Sequence, residues 1–163
     1  MFVKVCGITR LEDALTATRC GANAVGFVFW NPSPRWIDPH AARAIVERLP
    51  PFVTPVGVFV NQSAGYINDV CEIARLGVVQ LHGDEDPEFA LQIQRPVLKA
   101  MSVAAAGDPS IDERWPAPTM VLLDAQDPVR RGGTGTMVDW PGASAVARRR
   151  RILLAGGLTP ENV

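Results

Sequence analysis

A short apolar run that stops at a polar residue or a glycine, followed by a helical stretch, recurs along this chain. The runs span residues 2–6, 24–29, 52–60, 78–81, 96–101, 120–124 and 152–155 and are rich in Val, Ile, Leu and Phe. Most of them lack polar alternation. A strand covered on one face alternates apolar with polar residues, whereas a strand covered on both faces reads as a continuous apolar run, the pattern of a parallel sheet. The intervals carry helix signals. Thr9 caps a stretch over 10–20 that holds Glu12 and Asp13 in its first turn and ends at Gly21. Asp38 caps a segment that opens with Pro39 and runs to Leu49, proline being favourable just inside a helix start. Asn61 or Ser63 opens a helix that Gly77 closes, and Asp86 precedes Pro87 and a short helix to Gln94. The stretch 102–115, broken by Gly107 and Pro109, reads as a degraded helix. Thr136 opens another, to Arg149, and Thr159 with Pro160 opens a last one.

Strand and helix alternating every roughly 20 to 30 residues are a series of βα units. The 163 residues suit one domain, and no linker or low-complexity segment divides them. Two architectures use such units, a doubly wound sheet and a (β/α)₈ barrel. The first gathers its site at one switch point, and the second spreads it over the C-terminal ends of many strands. Here Cys6-Gly7, Asn31 to Arg35, Asn61, His82-Gly83, Asp124 and Gly156-Gly157 all follow strand runs, which favours the barrel.

The charge excludes some functions. Lys and Arg number 16 against 17 Asp and Glu, so nothing draws the whole chain to nucleic acid or to an anionic membrane. The run Arg148 to Arg151 is read as a solvated helix end, where cations are favoured. The apolar runs fall short of the roughly 20 residues of a membrane span, and no charged leader with an apolar core precedes them. Three cysteines without a CxxC pair and only two histidines, His40 and His82, leave no expected metal site. The chain is expected to be cytoplasmic and reduced.

Several strand-end residues could carry chemistry, and each has a plainer reading. Cys6 can act as a thiolate base if a cation such as Lys4 or a helix N-terminus assists its ionisation, or it can be a small buried hydrophobe. Asp124, at the end of an apolar strand, is a loop cap or an acid that a dry setting keeps protonated. Arg35, in a Pro-Ser-Pro-Arg turn, offers a planar fork that suits a carboxylate, or is a surface arginine. His82 binds a substrate or caps its own loop. Gly132, Gly133, Thr134 and Gly135 form a mobile lid with phosphate contacts or a plain loop. Gly156 and Gly157 bring backbone N–H groups to a phosphate or only turn the chain into a helix. Cys20 and Cys71 are expected to pack in helices.

Taken in order, these segments resemble one family. Lys4-Val5-Cys6-Gly7-Ile8-Thr9, Gly26-Phe27-Val28-Phe29 with Ser33-Pro34-Arg35, and Val56-Gly57-Val58-Phe59-Val60-Asn61 are similar to motifs of the phosphoribosylanthranilate isomerases. So are Val79-Gln80-Leu81-His82-Gly83-Asp84-Glu85, Leu122-Leu123-Asp124 with Gly132-Gly133-Thr134-Gly135, and Leu154-Ala155-Gly156-Gly157-Leu158. The resemblance implies an α/β (β/α)₈ TIM barrel. It also implies an Amadori rearrangement of N-(5-phosphoribosyl)anthranilate in tryptophan biosynthesis, without metal, flavin or nicotinamide. Cys6 would be the general base and Asp124 the general acid. Arg35 and His82 would bind the substrate, and Gly133, Thr134, Gly156 and Gly157 its phosphate. Arg130 and Arg131 stand where the family pattern leads one to expect lysine-proline, and no lysine follows Gly135. The family pattern continues past Val163 through the rest of a seventh helix, an eighth strand and an eighth helix, so about seven βα units are expected here. Open barrel edges would then give copies of the chain a way to associate. Two rivals remain: another sugar-phosphate barrel enzyme, and a barrel remnant that serves as a binding or assembly module.

Overall fold

The computed structural model describes residues 1–115, 119–125 and 137–162. They form two compact units, Met1–Val97 and Leu98–Val163.

The first unit holds four parallel strands in sequential order, β1 (Lys4–Cys6), β2 (Ala24–Val28), β3 (Thr54–Phe59) and β4 (Val78–Leu81). Between them run α1 (Leu11–Arg19), α2 (Pro39–Val46) and α3 (Ala64–Ala74), and α4 (Pro87–Ala90) follows β4. Each strand pairs with the next one in sequence, so no order reversal, the mark of a doubly wound sheet, occurs within the unit. One face of the sheet packs on the helices. Val25, Phe27, Phe59, Val79 and Leu81 meet Ala14, Ile45, Ile67, Val70 and Ala74 in a closed core, and Phe29 stacks on Phe59 at 5.2 Å. Cys71 lies in this core, where burial pushes its thiol up to about 11. The expected packing of Cys20 is not observed: it caps the C-terminus of α1 and is exposed.

Capping agrees with the sequence at α2, where the Asp38 carboxylate accepts from the backbone N–H groups of His40 and Ala41. The same holds for Asp86 at α4. At α3 the choice left open falls to Ser63, whose hydroxyl accepts from the Tyr66 N–H. Three expectations fail. Arg10, not Thr9, stands at the start of α1 and offers no side-chain cap. Arg75, in the left-handed region, ends α3 ahead of Gly77, whose N–H is taken by the Pro55 carbonyl at the entry to β4. The α4 helix stops at Ala90, well before Gln94.

The second unit has β5 (Val97–Ser102, all but its first residue), β6 (Met120–Asp124) and β7 (Ile152–Leu154), parallel and in order. The stretch after β5 splits at Pro109 into α5 (Val103–Gly107) and α6 (Ser110–Arg114), and α7 (Trp140–Ala147) precedes β7. Asp139 caps α7 through the Gly142 N–H; Thr136 lies outside the described residues. Val121 and Leu123 pack on Ala106, Ala143 and Val146. The arginine run does more than sit in solvent. Arg149 donates to the carbonyls of Ala106 and Gly107, and Arg150 to those of Trp115 and Thr119. Three of these carbonyls, those of Ala106, Gly107 and Trp115, stand at the C-terminal ends of the short helices, where backbone acceptors lack intrahelical partners. Thr159 to Asn162 form a turn in which the Asn162 side chain accepts from the Thr159 N–H.

Candidate active site

In a parallel ladder, paired residues share a face and successive residues alternate faces. Cys6 pairs with Gly26, Gly26 with Val56, and Val56 with Val78; Val28 pairs with Val58, and Val58 with Gln80. Lys4, Cys6, Gly26, Val58 and Gln80 therefore lie on one face of the first unit's sheet, opposite the helix-packed face.

On that face Gly26 makes room. A Cβ at this position would lie 2.8 Å from the Cys6 Sγ and 3.3 Å from the Lys4 Nζ. The thiol and the ammonium thus converge over a bare stretch of β2, and Cys6 is exposed. The next residue, Gly7, has a positive φ of 85°, and a Cβ there would meet the Arg35 Cδ at 2.5 Å and Nη1 at 2.9 Å. The Arg35 side chain thus lies against the backbone beside Cys6. Its turn is pinned: the Arg35 N–H donates to the Ser33 hydroxyl, and Ile37 N–H donates to the Val28 carbonyl at the end of β2.

His82 directly follows β4, and its N–H still donates to Phe59. Its Nδ1 lies 2.6 Å from Nε2 of Gln80, a residue only 2% exposed. The following loop is tied to the end of β3 by Glu85, itself 8% exposed, which accepts from the N–H groups of Asn61 at 2.7 Å and Gly83 at 2.9 Å. Asn61, at a φ of 55° that asparagine tolerates, exchanges two further bonds with Asp84. A Cβ on Gly83 would overlap the Asn61 Oδ1, which is held by its bond from the Asp84 N–H, so only glycine fits.

In the second unit Asp124 ends β6, half-buried, and its Oδ1 accepts from the Ala125 N–H at 2.8 Å. Gly156 and Gly157 follow β7 with φ of 88° and 64°. Gly156 passes so close that a Cβ would lie 2.9 Å from the Asp124 Oδ1. A cleft of about 440 Å³ opens here, lined by Asp124, Ser102, Met137, Asp139 and Arg149 among others. Gly133 and Thr134 lie outside the described residues.

The first unit thus brings Cys6 and Arg35 to adjacent positions, with His82 on the same rim, and the second brings Gly156 to Asp124. Gln80, Glu85 and Gly26 were not singled out from the sequence. All three stand in segments that carry the family resemblance, and Gln80 is also a polar residue inside an apolar strand. Among the described residues, no group of three or more His, Cys, Asp or Glu could hold a metal ion, and no helix is long and apolar enough to cross a membrane.

A sequence profile for N-(5'phosphoribosyl)anthranilate (PRA) isomerase matches residues 3–163. The chain belongs to this family. The N-(5'-phosphoribosyl)anthranilate isomerase of Trichlorobacter lovleyi is 50% identical over 99% of this chain and 78% of its own length. The crystal structure of the Thermus thermophilus phosphoribosyl anthranilate isomerase superposes with a TM-score of 0.88 at 45% identity, covering 99% of this chain and 80% of that one. A third relative, 41% identical with a TM-score of 0.83 over 99% of this chain and 78% of that one, was solved with reduced 1-(o-carboxyphenylamino)-1-deoxyribulose 5-phosphate. The fold class is that of these isomerases, the (β/α)₈ barrel, with seven of its strands described here.

Proposed function

We propose that this member of the phosphoribosylanthranilate isomerase family converts N-(5-phosphoribosyl)anthranilate to 1-(2-carboxyphenylamino)-1-deoxyribulose 5-phosphate in tryptophan biosynthesis. The observation that carries the residue assignment is the cleared face at the end of β1. The Cys6 thiol stands over Gly26, and the Arg35 guanidinium is laid against Gly7 next to it.

Asp124 protonates the ring oxygen of the furanose as the C1–O bond breaks, which opens the sugar to a protonated Schiff base. The Cys6 thiolate removes the proton from C2, and the electron pair moves into the C1–C2 bond to neutralise the iminium. The resulting enolamine takes a proton at C1 while its C2 hydroxyl gives one up, which leaves the ketone and restores the acid and the base. Arg35 binds the anthranilate carboxylate through its planar fork, which sets the substrate's aromatic end beside the base. His82 hydrogen-bonds the substrate. The backbone at Gly156 and Gly157, with Gly133 and Thr134, takes the phosphate. All steps are proton transfers, and no cofactor is required. The reading includes a single barrel domain, a cytoplasmic location, and self-association of the chain.

The test follows the fluorescence of freshly made N-(5-phosphoribosyl)anthranilate as it is consumed. Cys6→Ala and Asp124→Asn are each expected to lower kcat by about 10² to 10⁴-fold, the usual contribution of one acid or base, while the circular dichroism and melting curve stay close to those of the parent. Near-parental turnover in either variant removes that residue from the mechanism.

A further inference from the structure

His82 is held by a residue that no step above uses. Gln80 sits two positions earlier on the same face of β4, is 2% exposed, and directs its side-chain amide at the imidazole, with Nε2 2.6 Å from Nδ1. An amide NH₂ can only donate, so in this orientation the Nδ1 facing it is the acceptor, which places the ring proton on Nε2. The other amide atom, Oε1, is buried with no hydrogen-bond partner. Turning the amide over would set the carbonyl against Nδ1 and leave the NH₂ in the closed position. Buried N–H groups are left without partners more rarely than buried C=O groups, so the observed orientation costs less.

We propose that Gln80 is a positioning residue that fixes the tautomer of His82, so that the imidazole presents an Nε2–H donor to the substrate. The proposal deepens the reading above and rests on it for the identity of the ligand. Carboxylate, sugar hydroxyl and phosphate oxygens all accept hydrogen bonds, and a fixed donor suits any of them. A ring free to exchange tautomers would present an acceptor to an acceptor part of the time. Gln80 removes that state before the substrate arrives, which is preorganisation by a neutral partner.

The test uses ring-¹⁵N-labelled histidine in the intact chain without substrate, so its outcome does not depend on whether the isomerase reading holds. Only two histidines are present, and His40→Gln assigns the spectrum. Above the ordinary titration range of imidazole, His82 is expected to show a protonated, pyrrole-type Nε2 and an unprotonated Nδ1. A protonated Nδ1 with an unprotonated Nε2 overturns the proposal, and so does fast averaging between the two forms. Gln80→Glu puts only acceptors against the ring and is expected to bring a proton to Nδ1. An unchanged spectrum in that folded variant would also overturn it. In turnover, Gln80→Glu and His82→Ala are each expected to lower kcat/KM by about 10- to 100-fold, with little further loss in the double variant. Additive losses would separate the two residues and refute the link.

Discussion

Gly26→Ala isolates the geometry of the thiol. Gly26 lies in β2 with an ordinary strand conformation, so alanine brings no backbone strain, only one methyl group. That methyl carbon would stand 2.8 Å from the Cys6 Sγ and 3.3 Å from the Cys6 Cα. Optimal separation between such atoms is about 3.5 to 4 Å, so the sulfur must give way by about 1 Å. The Cα is held by the β1–β2 ladder, in which Cys6 pairs with Gly26, so the side chain has to rotate. An off-rotamer thiol costs about 0.5–1.5 kcal/mol, and overpacking typically costs 1–3 kcal/mol, which lowers the melting temperature by several degrees. The larger effect is on chemistry. A displacement of about 1 Å at a proton-transferring group is expected to lower kcat by about 10²-fold. Fluorescence-detected turnover reads kcat, and the rate at which iodoacetamide labels Cys6 reads the change at sulfur directly. Gly65→Ala in α3 is the control: nothing lies within 4 Å of the added methyl. That variant should keep parental kcat and gain about 0.5–1 kcal/mol of stability. Parental kcat in Gly26→Ala, with the methyl in place and the protein folded, would refute the claim that Gly26 clears the working position of Cys6.

Two further outcomes follow from the same site and its support. Glu85→Gln keeps the shape of the side chain but offers one carbonyl oxygen where the carboxylate now satisfies both the Asn61 and Gly83 N–H groups. One N–H then loses its acceptor, and denaturant unfolding should show a loss of about 1–3 kcal/mol. Cys71 gives a pH dependence. Burial raises its thiol from 9.0 to about 11 in the folded chain, so the folded state holds the proton that the unfolded state gives up. The associated stability is fully present below pH 9 and is lost as the pH climbs to 11. Unfolding midpoints compared at pH 8 and above pH 10 should fall more steeply for the parent than for Cys71→Ala. Equal slopes would show that the buried thiol does not carry this effect.

Much of the fold could be read from the sequence because its signals are local. Uninterrupted apolar runs gave the strands, and Asp38, Ser63 and Asp86 act where short polar side chains can reach the N–H groups two or three residues on. Cys6, Arg35 and Asp124 were found because each breaks an apolar run or a turn at a strand end. What escaped depends on distance along the chain. Glu85 is bound to Gly83 nearby but also to Asn61, 24 residues earlier, and its burial between them is not marked in the apolar pattern of the sequence. Arg149 and Arg150 reach carbonyls 31 to 43 residues away, so a run that looks like a charged helix end is a structural clamp. Gly26 differs from other strand glycines only in what lies opposite it, and that is set by register.

The two faces of the first sheet carry different obligations, and this bears on how such a chain can change. Val25, Phe27, Val79 and Leu81 answer to the helices, where each lost methylene is felt as a cavity. Lys4, Cys6, Val58 and Gln80 point the other way. Substitutions among the second set can redraw what the rim recognises while the first set keeps the strands in place. Duplication followed by drift, or a directed library confined to one parity of strand positions, could therefore explore new substrates without renegotiating the packing beneath them.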